Sequence, residues 1–114
     1  MLGENIIMML ANFMGGGMVL LIGLILRFIK GSEAMIAGYN TMSKEEQAKW
    51  NAEAMRRFMG YIFILASCIL IISGIVGLFG FYPLILLIVS WAIFMVILIS
   101  GVIYLNKSPK FKNN

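Results

Sequence analysis

The 114-residue sequence contains no histidine and a single cysteine, Cys68, which lies inside an apolar run. One cysteine forms no intrachain disulfide, and a chain without histidine cannot build the usual His/Cys metal sites by itself. The serines within the apolar runs also lack a base of the usual kinds to activate them. The sequence therefore predicts no metal, no cofactor and no enzymatic activity.

Charged residues are also scarce, at 12% of the chain, whereas 61% of the residues are apolar. A soluble domain has about 25% charged residues, and a chain this short has too much surface to hide such an apolar excess from water. The net charge of +4 does not indicate nucleic-acid binding, because the basic residues sit at the ends of apolar runs rather than along one helix face. We therefore expect a lipid bilayer as the solvent and no nucleic-acid partner.

Three apolar runs are long enough to cross a bilayer, which takes about 20 helical residues. They predict membrane-spanning helices over residues 6–29, 58–79 and 83–105. The sequence thus predicts an all-α fold: an integral membrane three-helix bundle, with a short amphipathic cytoplasmic helix between helices 1 and 2. The bundle forms one domain over residues 1–114, and we expect the basic tail at residues 106–114 to be poorly ordered.

Residues 31–57, here called the polar segment, hold four of the five acidic residues. Ser43 and Glu46 fit a capping box, so the spacing predicts an amphipathic helix over residues 44–57. At Gly60 we favour a bend between this helix and the second span, and the alternative is that the two run on as one long helix. The apolar stripe of the predicted helix continues into that span and comprises Trp50, Ala54, Phe58 and Tyr61.

Small residues and one amide within the spans predict helix packing. Small side chains let two helix backbones approach closely, and a buried Asn can hydrogen-bond across helices. Packing within the bundle is the first interpretation, and a homo-oligomer contact is the alternative. The residues concerned are Asn12, Gly15, Gly16, Gly17, Gly23, Gly74 and Gly77.

The nine basic residues predict the orientation of the chain. Each lies at the end of the first run, between the first and second runs, or after the third, and in a three-span protein these regions share one side. Because Lys and Arg near helix ends favour the cytoplasm, we expect a multi-pass plasma-membrane protein with its N-terminus outside and its C-terminus cytoplasmic. The cytoplasmic face should attract anionic lipid by about 1 kcal/mol per basic residue.

Within the polar segment, several residues are candidates for contact with a protein partner or for docking of the segment against the bundle. Aromatic and amide side chains beside a helix break suit either role. The basic pair where the segment meets the second span suits topology, lipid contact or partner binding. The candidates are Gly38, Tyr39, Asn40, Thr41, Trp50, Arg56 and Arg57.

The motif GYNTMSKEE at residues 38–46, followed by RFMG at residues 57–60, resembles a family of small bacterial membrane proteins known only as a domain of unknown function. That family is found largely in Firmicutes, and the resemblance implies a helix before the motif and two after it, in the bacterial plasma membrane. A fainter similarity points to immunity proteins against a sporulation-associated killing peptide. Those proteins have an Arg-Thr-Pro type of turn where this chain has Tyr39, Asn40 and Thr41.

These observations favour a non-enzymatic membrane protein that binds another membrane component through the polar segment. Two alternatives remain open. One is an oligomeric pore or a transporter accessory subunit, although the spans contain no charged residue if Arg27 belongs to the interface. The other is immunity or signalling against a membrane-active peptide, which the fainter similarity implies.

Overall fold

A computed structural model describes residues 2–79 and 84–112, and these residues form helices joined by short turns. Among them the only β-type pairing is a single bridge between Trp50 and Lys112. The predicted all-α fold is confirmed. In chain order the elements are α1 (Leu2–Phe28), a 3₁₀ turn (Ser32–Met35), α2 (Ala37–Asn40), α3 (Lys44–Ala48), α4 (Ala52–Gly77), α5 (Leu84–Lys107) and a second 3₁₀ turn (Pro109–Phe111).

Within the described part of the chain, three helices are long and apolar enough to cross a membrane. They are Ile6–Phe28 within α1, Ala52–Gly77 and Leu84–Lys107. The second begins six residues earlier than the predicted span, because residues 52–57 continue the same helix. The predicted start of the third span, at Pro83, lies outside the described residues.

Helix α4 is the central helix, and both α1 and α5 pack mainly against it. In its most apolar stretch 44% of the residues are buried, against 22% in α1 and 17% in α5. The outer faces of α1 and α5 leave large apolar side chains exposed, among them Met18, Ile88 and Ile99. In water such surface would be strongly unfavourable, so these faces fit contact with lipid.

The α1–α4 contact is built from small residues. A Cβ added at Gly60 would lie 2.6 Å from the backbone nitrogen of Arg27 and 2.8 Å from the carbonyl oxygen of Gly23. The two backbones therefore touch directly at this crossing. The predicted bend at Gly60 is wrong, because α4 runs through this position unbroken and the missing side chain is what lets α1 approach.

The other predicted packing glycines take different positions. Gly16 lies against Leu70 and Ile71 of α4, and Gly74 lies against the ring of Phe13. A Cβ at Gly15 would lie 3.0 Å from the ring of Trp91. Gly23 and Gly77 are buried. Gly17 faces open space, with nothing within 4 Å of an added Cβ, so its predicted role in packing within the bundle is wrong.

One polar pair joins the two outer helices. The indole N–H of Trp91 in α5 donates to the side-chain oxygen of Asn12 in α1 at 2.9 Å. Asn12 is fully buried, and Trp91 also packs edge-on against Phe94 with 5.4 Å between the ring centroids. A buried amide that water cannot reach is costly unless it is hydrogen-bonded, so this bond offsets the cost of burying Asn12.

The predicted single helix over residues 44–57 is wrong. Ser43 does cap α3, since its hydroxyl oxygen accepts from the Glu46 N–H at 3.2 Å, but α3 ends at Ala48. Asn51 then begins α4, and its side-chain oxygen accepts from the Ala54 N–H at 3.2 Å. Asn favours such helix starts because its short side chain reaches nearby backbone N–H groups.

The predicted disorder of the basic tail is also wrong for residues 106–112. The backbone N–H of Asn51 donates to the carbonyl oxygen of Phe111 at 2.7 Å, which ties the tail to the start of α4. Phe111 is only 5% exposed, and its ring lies 4.9 Å from Phe58 and 5.9 Å from Tyr104, centroid to centroid. Burial of this one aromatic ring holds the tail in place. Residues 113 and 114 lie outside the described part of the chain.

Candidate functional site

The end of α1, the start of α4 and the end of α5 meet at one end of the bundle, here called the cationic end. Its centre is a buried cluster that all three helices and the tail supply: Leu26, Met55, Met59, Leu105 and Phe111. The polar segment folds over this cluster, so every basic residue of the described chain lies in or beside the same structure.

Arg56 closes the end of α1. It is only 3% exposed, and its guanidinium donates to the carbonyl oxygens of Leu26 at 2.8 Å and Arg27 at 3.0 Å. The last carbonyls of a helix have no partner within that helix, and they carry partial negative charge. A second guanidinium nitrogen lies 3.5 Å from the Glu53 carboxylate, which adds a weak ion pair. Arg56 therefore acts inside the fold, which corresponds to the docking alternative of the two roles for which the sequence made it a candidate.

Ser32 completes this helix end. The chain leaves α1 through Gly31, whose φ of 88° is the only positive value among the described residues. That turn brings the Ser32 hydroxyl to the carbonyl oxygens of Ile29 at 2.7 Å and Ile25 at 3.1 Å. Glycine suits this position because left-handed backbone strains other residues.

Arg27 and Arg57, in contrast, are exposed. The Arg27 guanidinium donates to the Arg57 carbonyl oxygen at 3.2 Å, and the Arg57 guanidinium pairs with Glu53 at 3.1 Å. Exposed pairs of this kind contribute about 0–1 kcal/mol, so these charges are available to solvent, lipid or a partner.

The aromatic candidates of the polar segment face inward. Tyr39 and Trp50 are half-buried and pack against the central cluster. The side-chain amide of Gln47 donates to the Tyr39 carbonyl oxygen at 3.0 Å, which fastens α3 to α2. Asn40 is exposed, and it is the last residue of α2. Thr41 follows it as the C-cap and is exposed as well. Gly38 lies in α2, but its surroundings are outside what the structure describes.

The contact between the tail and α3 forms an open cleft of about 550 Å³. It is lined by Glu46, Lys49, Trp50 and Lys112. The Lys112 ammonium lies 5.5 Å from the centroid of the Trp50 ring and donates to the Asn106 carbonyl oxygen at 2.9 Å. Cations are held over aromatic faces at about this distance. The cleft thus combines an aromatic wall, two ammonium groups and one carboxylate.

Elsewhere the polar side chains serve their own helices. The hydroxyl of Ser67 donates to the Ile64 carbonyl oxygen at 2.7 Å, and that of Ser90 donates to the Leu87 carbonyl oxygen at 2.9 Å. Within residues 2–79 and 84–112, no group of three or more His, Cys, Asp or Glu residues is placed to hold a metal ion. The cationic end is therefore the richest polar surface that the structure describes.

Sequence reasoning missed the structural roles of Asn51 and Phe111, and it assigned Gly60 a bend rather than a helix contact. Two of them carry a signal in the sequence. Gly60, Ser67 and Gly74 recur at intervals of seven, which places them on one helix face. Asn51 precedes Ala52 and Glu53, a typical helix start. Phe111 lies between lysines in a short polar tail, and nothing local to it predicts burial.

Neither the curated proteins nor the solved structures contain a match. A family model described as a domain of unknown function (DUF3784) matches residues 13–109, which include most of α1, the polar segment, α4 and α5. Because the match covers well over half of the sequence, the chain belongs to the DUF3784 family.

Proposed function

We propose that the chain is a non-enzymatic protein of the bacterial plasma membrane that binds another membrane component through its polar segment. In this proposal the N-terminus lies outside and the cationic end lies in the cytoplasm, where anionic lipid adds to its attraction. A protein partner or a second copy of the chain is compatible with the same surface. The observation that carries the proposal is that the polar segment is folded onto the bundle rather than left as a loose connection.

Three contacts indicate that the polar segment forms a structured surface on the bundle. Arg56 joins the segment to α1, Gln47 joins α3 to α2, and the tail joins the start of α4. A loop that only connects two spans needs none of these, and loops held in one shape on a rigid scaffold are where binding residues concentrate. The outward-facing part of this surface includes Asn40 and Lys44, which are exposed.

The test uses a photo-crosslinking side chain at position 44 in native membranes. We expect one discrete adduct, because a partner must contact the exposed side of α3 to bind here. Asn40→Ala with Thr41→Ala should reduce that adduct several-fold without changing the amount of inserted protein. Tyr39 is unsuitable for this purpose, since it packs against the central cluster and its loss would disturb the fold.

The matched control places the same crosslinker at Ile99, an exposed apolar position of α5. A crosslinker at this position should label lipid and should not give the adduct seen from position 44. The proposal fails if position 44 gives no adduct in native membranes, or if positions 44 and 99 give the same one.

A further inference from the structure

The cleft at the cationic end is assembled from two separate parts of the chain. Glu46 belongs to α3, Lys49 and Trp50 follow it, and Lys112 comes from the tail more than sixty positions later. Its volume of about 550 Å³ lies within the range of small-molecule sites, about 300–1,000 Å³. The tail reaches the cleft because Phe111 is buried in the central cluster and Lys112 pairs with Trp50.

The charges that line the cleft are not neutralised by one another. The described residues form no ion pair with Lys49 or Lys112, and Glu46 contacts only the Ser43 hydroxyl, at 3.4 Å through one carboxylate oxygen. Two ammonium groups favour an anion, yet a carboxylate in the same cleft repels one. A ligand that carries both an anionic and a cationic group satisfies all three side chains.

The level of the cleft relative to the membrane indicates where such a ligand would come from. Arg57 is the last charged residue before the apolar part of α4. It lies five positions after Ala52, the first residue of α4, which itself follows the cleft residue Trp50 by two positions. At about 1.5 Å per residue this is a rise of about 7–8 Å. A bilayer has a headgroup layer about 5–8 Å deep on each side of its hydrocarbon core. With α4 across a membrane, the cleft therefore lies at the level of lipid headgroups.

We infer that this cleft binds a phosphate ester that carries a primary ammonium group, the chemistry of a phosphatidylethanolamine headgroup. The phosphate oxygens accept hydrogen bonds from the Lys49 and Lys112 ammonium groups, and the ligand's ammonium donates to the Glu46 carboxylate. The inference rests on the proposed function, since it requires the polar segment to lie at the membrane surface, and it names the class of component that is bound.

The test titrates the full-length protein in detergent with short-chain phosphatidylethanolamine and, separately, with short-chain phosphatidylglycerol, which has the phosphate but no amine. The readout is Trp50 fluorescence in a Trp91→Phe background. We expect tighter binding of phosphatidylethanolamine. Lys49→Gln should weaken that binding by about tenfold, the equivalent of one charge-assisted hydrogen bond. Lys30→Gln is the matched control and should change nothing, because Lys30 is an exposed lysine that does not line the cleft.

Glu46→Gln should affect the two lipids differently. It removes the partner of the ammonium group, so phosphatidylethanolamine should bind more weakly. It also removes a negative charge, so phosphatidylglycerol should bind as tightly as before or more tightly. Gln still suits the third position of the helix, so α3 should keep its cap. The inference is overturned if wild-type protein does not prefer phosphatidylethanolamine, or if Glu46→Gln shifts both affinities in the same direction.

Soluble phosphoethanolamine identifies the source of the ligand. Weaker binding of this compound than of the lipid assigns the site to a membrane headgroup, and equal binding assigns it to a soluble phosphate ester of the same chemistry.

The lipid titration and the crosslinking test can be distinguished by their outcomes. Loss of lipid preference with an intact adduct removes only this inference, whereas loss of the adduct with intact lipid preference removes the proposed partner contact.

Discussion

At the scale of single residues, Arg56 shows how a charge can be used inside a membrane protein. A buried guanidinium is costly unless its N–H groups find acceptors, and here the last carbonyls of α1 supply them. The neighbouring Arg57 has the same charge and almost the same position in the sequence, but it is 59% exposed. The two residues therefore form a matched pair for separating structure from surface charge.

Arg56→Gln should lower the free energy of unfolding by about 2–4 kcal/mol, because it leaves helix-end carbonyls without their charged donor. Arg57→Gln should change it by less than about 0.5 kcal/mol, since only an exposed pair is lost. Reversible unfolding in mixed micelles, followed by circular dichroism, measures both. Equal effects of the two substitutions would show that Arg56 does not cap α1.

The hydrogen bond between Asn12 and Trp91 is the second prediction at this scale. A double-mutant cycle with Asn12→Ala and Trp91→Phe should give a coupling energy of about 0.6–2 kcal/mol, the range found for hydrogen bonds between membrane helices. The same unfolding measurement applies to all four proteins of the cycle. Additive effects would mean that the two side chains are not partners in the folded bundle.

At the scale of elements, the α1–α4 contact follows a seven-residue pattern. Gly60, Ser67 and Gly74 line one face of α4, and Gly16 and Gly23 line the facing part of α1. A period of seven keeps one face in contact when two helices cross at a shallow angle, as in coiled coils. The absence of side chains brings the backbones together, so dispersion contacts replace the hydrophobic driving force that lipid does not supply.

This contact predicts opposite effects for two glycine-to-alanine changes. Gly60→Ala should destabilise the bundle by about 1–3 kcal/mol, because its methyl group would overlap the backbone of α1. Gly17→Ala should be neutral or stabilising by up to about 1 kcal/mol, since the site is open and alanine is the better helix former. Thermal unfolding in one detergent compares them. Destabilisation by Gly17→Ala would instead indicate a contact with another molecule on that face.

How far the sequence predicted these elements depends on the length of the pattern involved. The three spans were predicted because their apolar runs are long. The break at residues 49–51 depends on a single side chain, because Asn51 caps a new helix instead of continuing the one that Ser43 caps. Burial of Arg56 was not predictable, because it depends on where the end of α1 lies in space. The position of Phe111 was missed for the same reason, since its partners Phe58 and Tyr104 belong to two different helices.

At the scale of the whole molecule, the structure brings all the described cationic groups to one end of the bundle. Exposed apolar side chains cover the outer faces of the helices away from that end. Such a distribution favours one orientation across a membrane, because the cationic end is retained on the side where the chain is made.

Orientation can be measured by replacing Tyr82 with cysteine in a Cys68→Ala background. Cys68 must be removed because it is exposed on α4 and would react as well. The engineered cysteine should react with a membrane-impermeant reagent in intact cells, whereas a cysteine at Lys44 should react only after the cells are opened. The reverse pattern would invert the topology, and with it the assignment of the polar segment to the cytoplasm.

The packing of Phe111 also sets an order of events during synthesis. Residues 109–112 are translated after all three long helices, so Phe58 and Trp50 remain uncovered while α5 is still leaving the ribosome. The cleft lacks Lys112 until that moment. Under the proposed function, a chain whose synthesis stops within α5 should therefore hold its spans without the completed cleft.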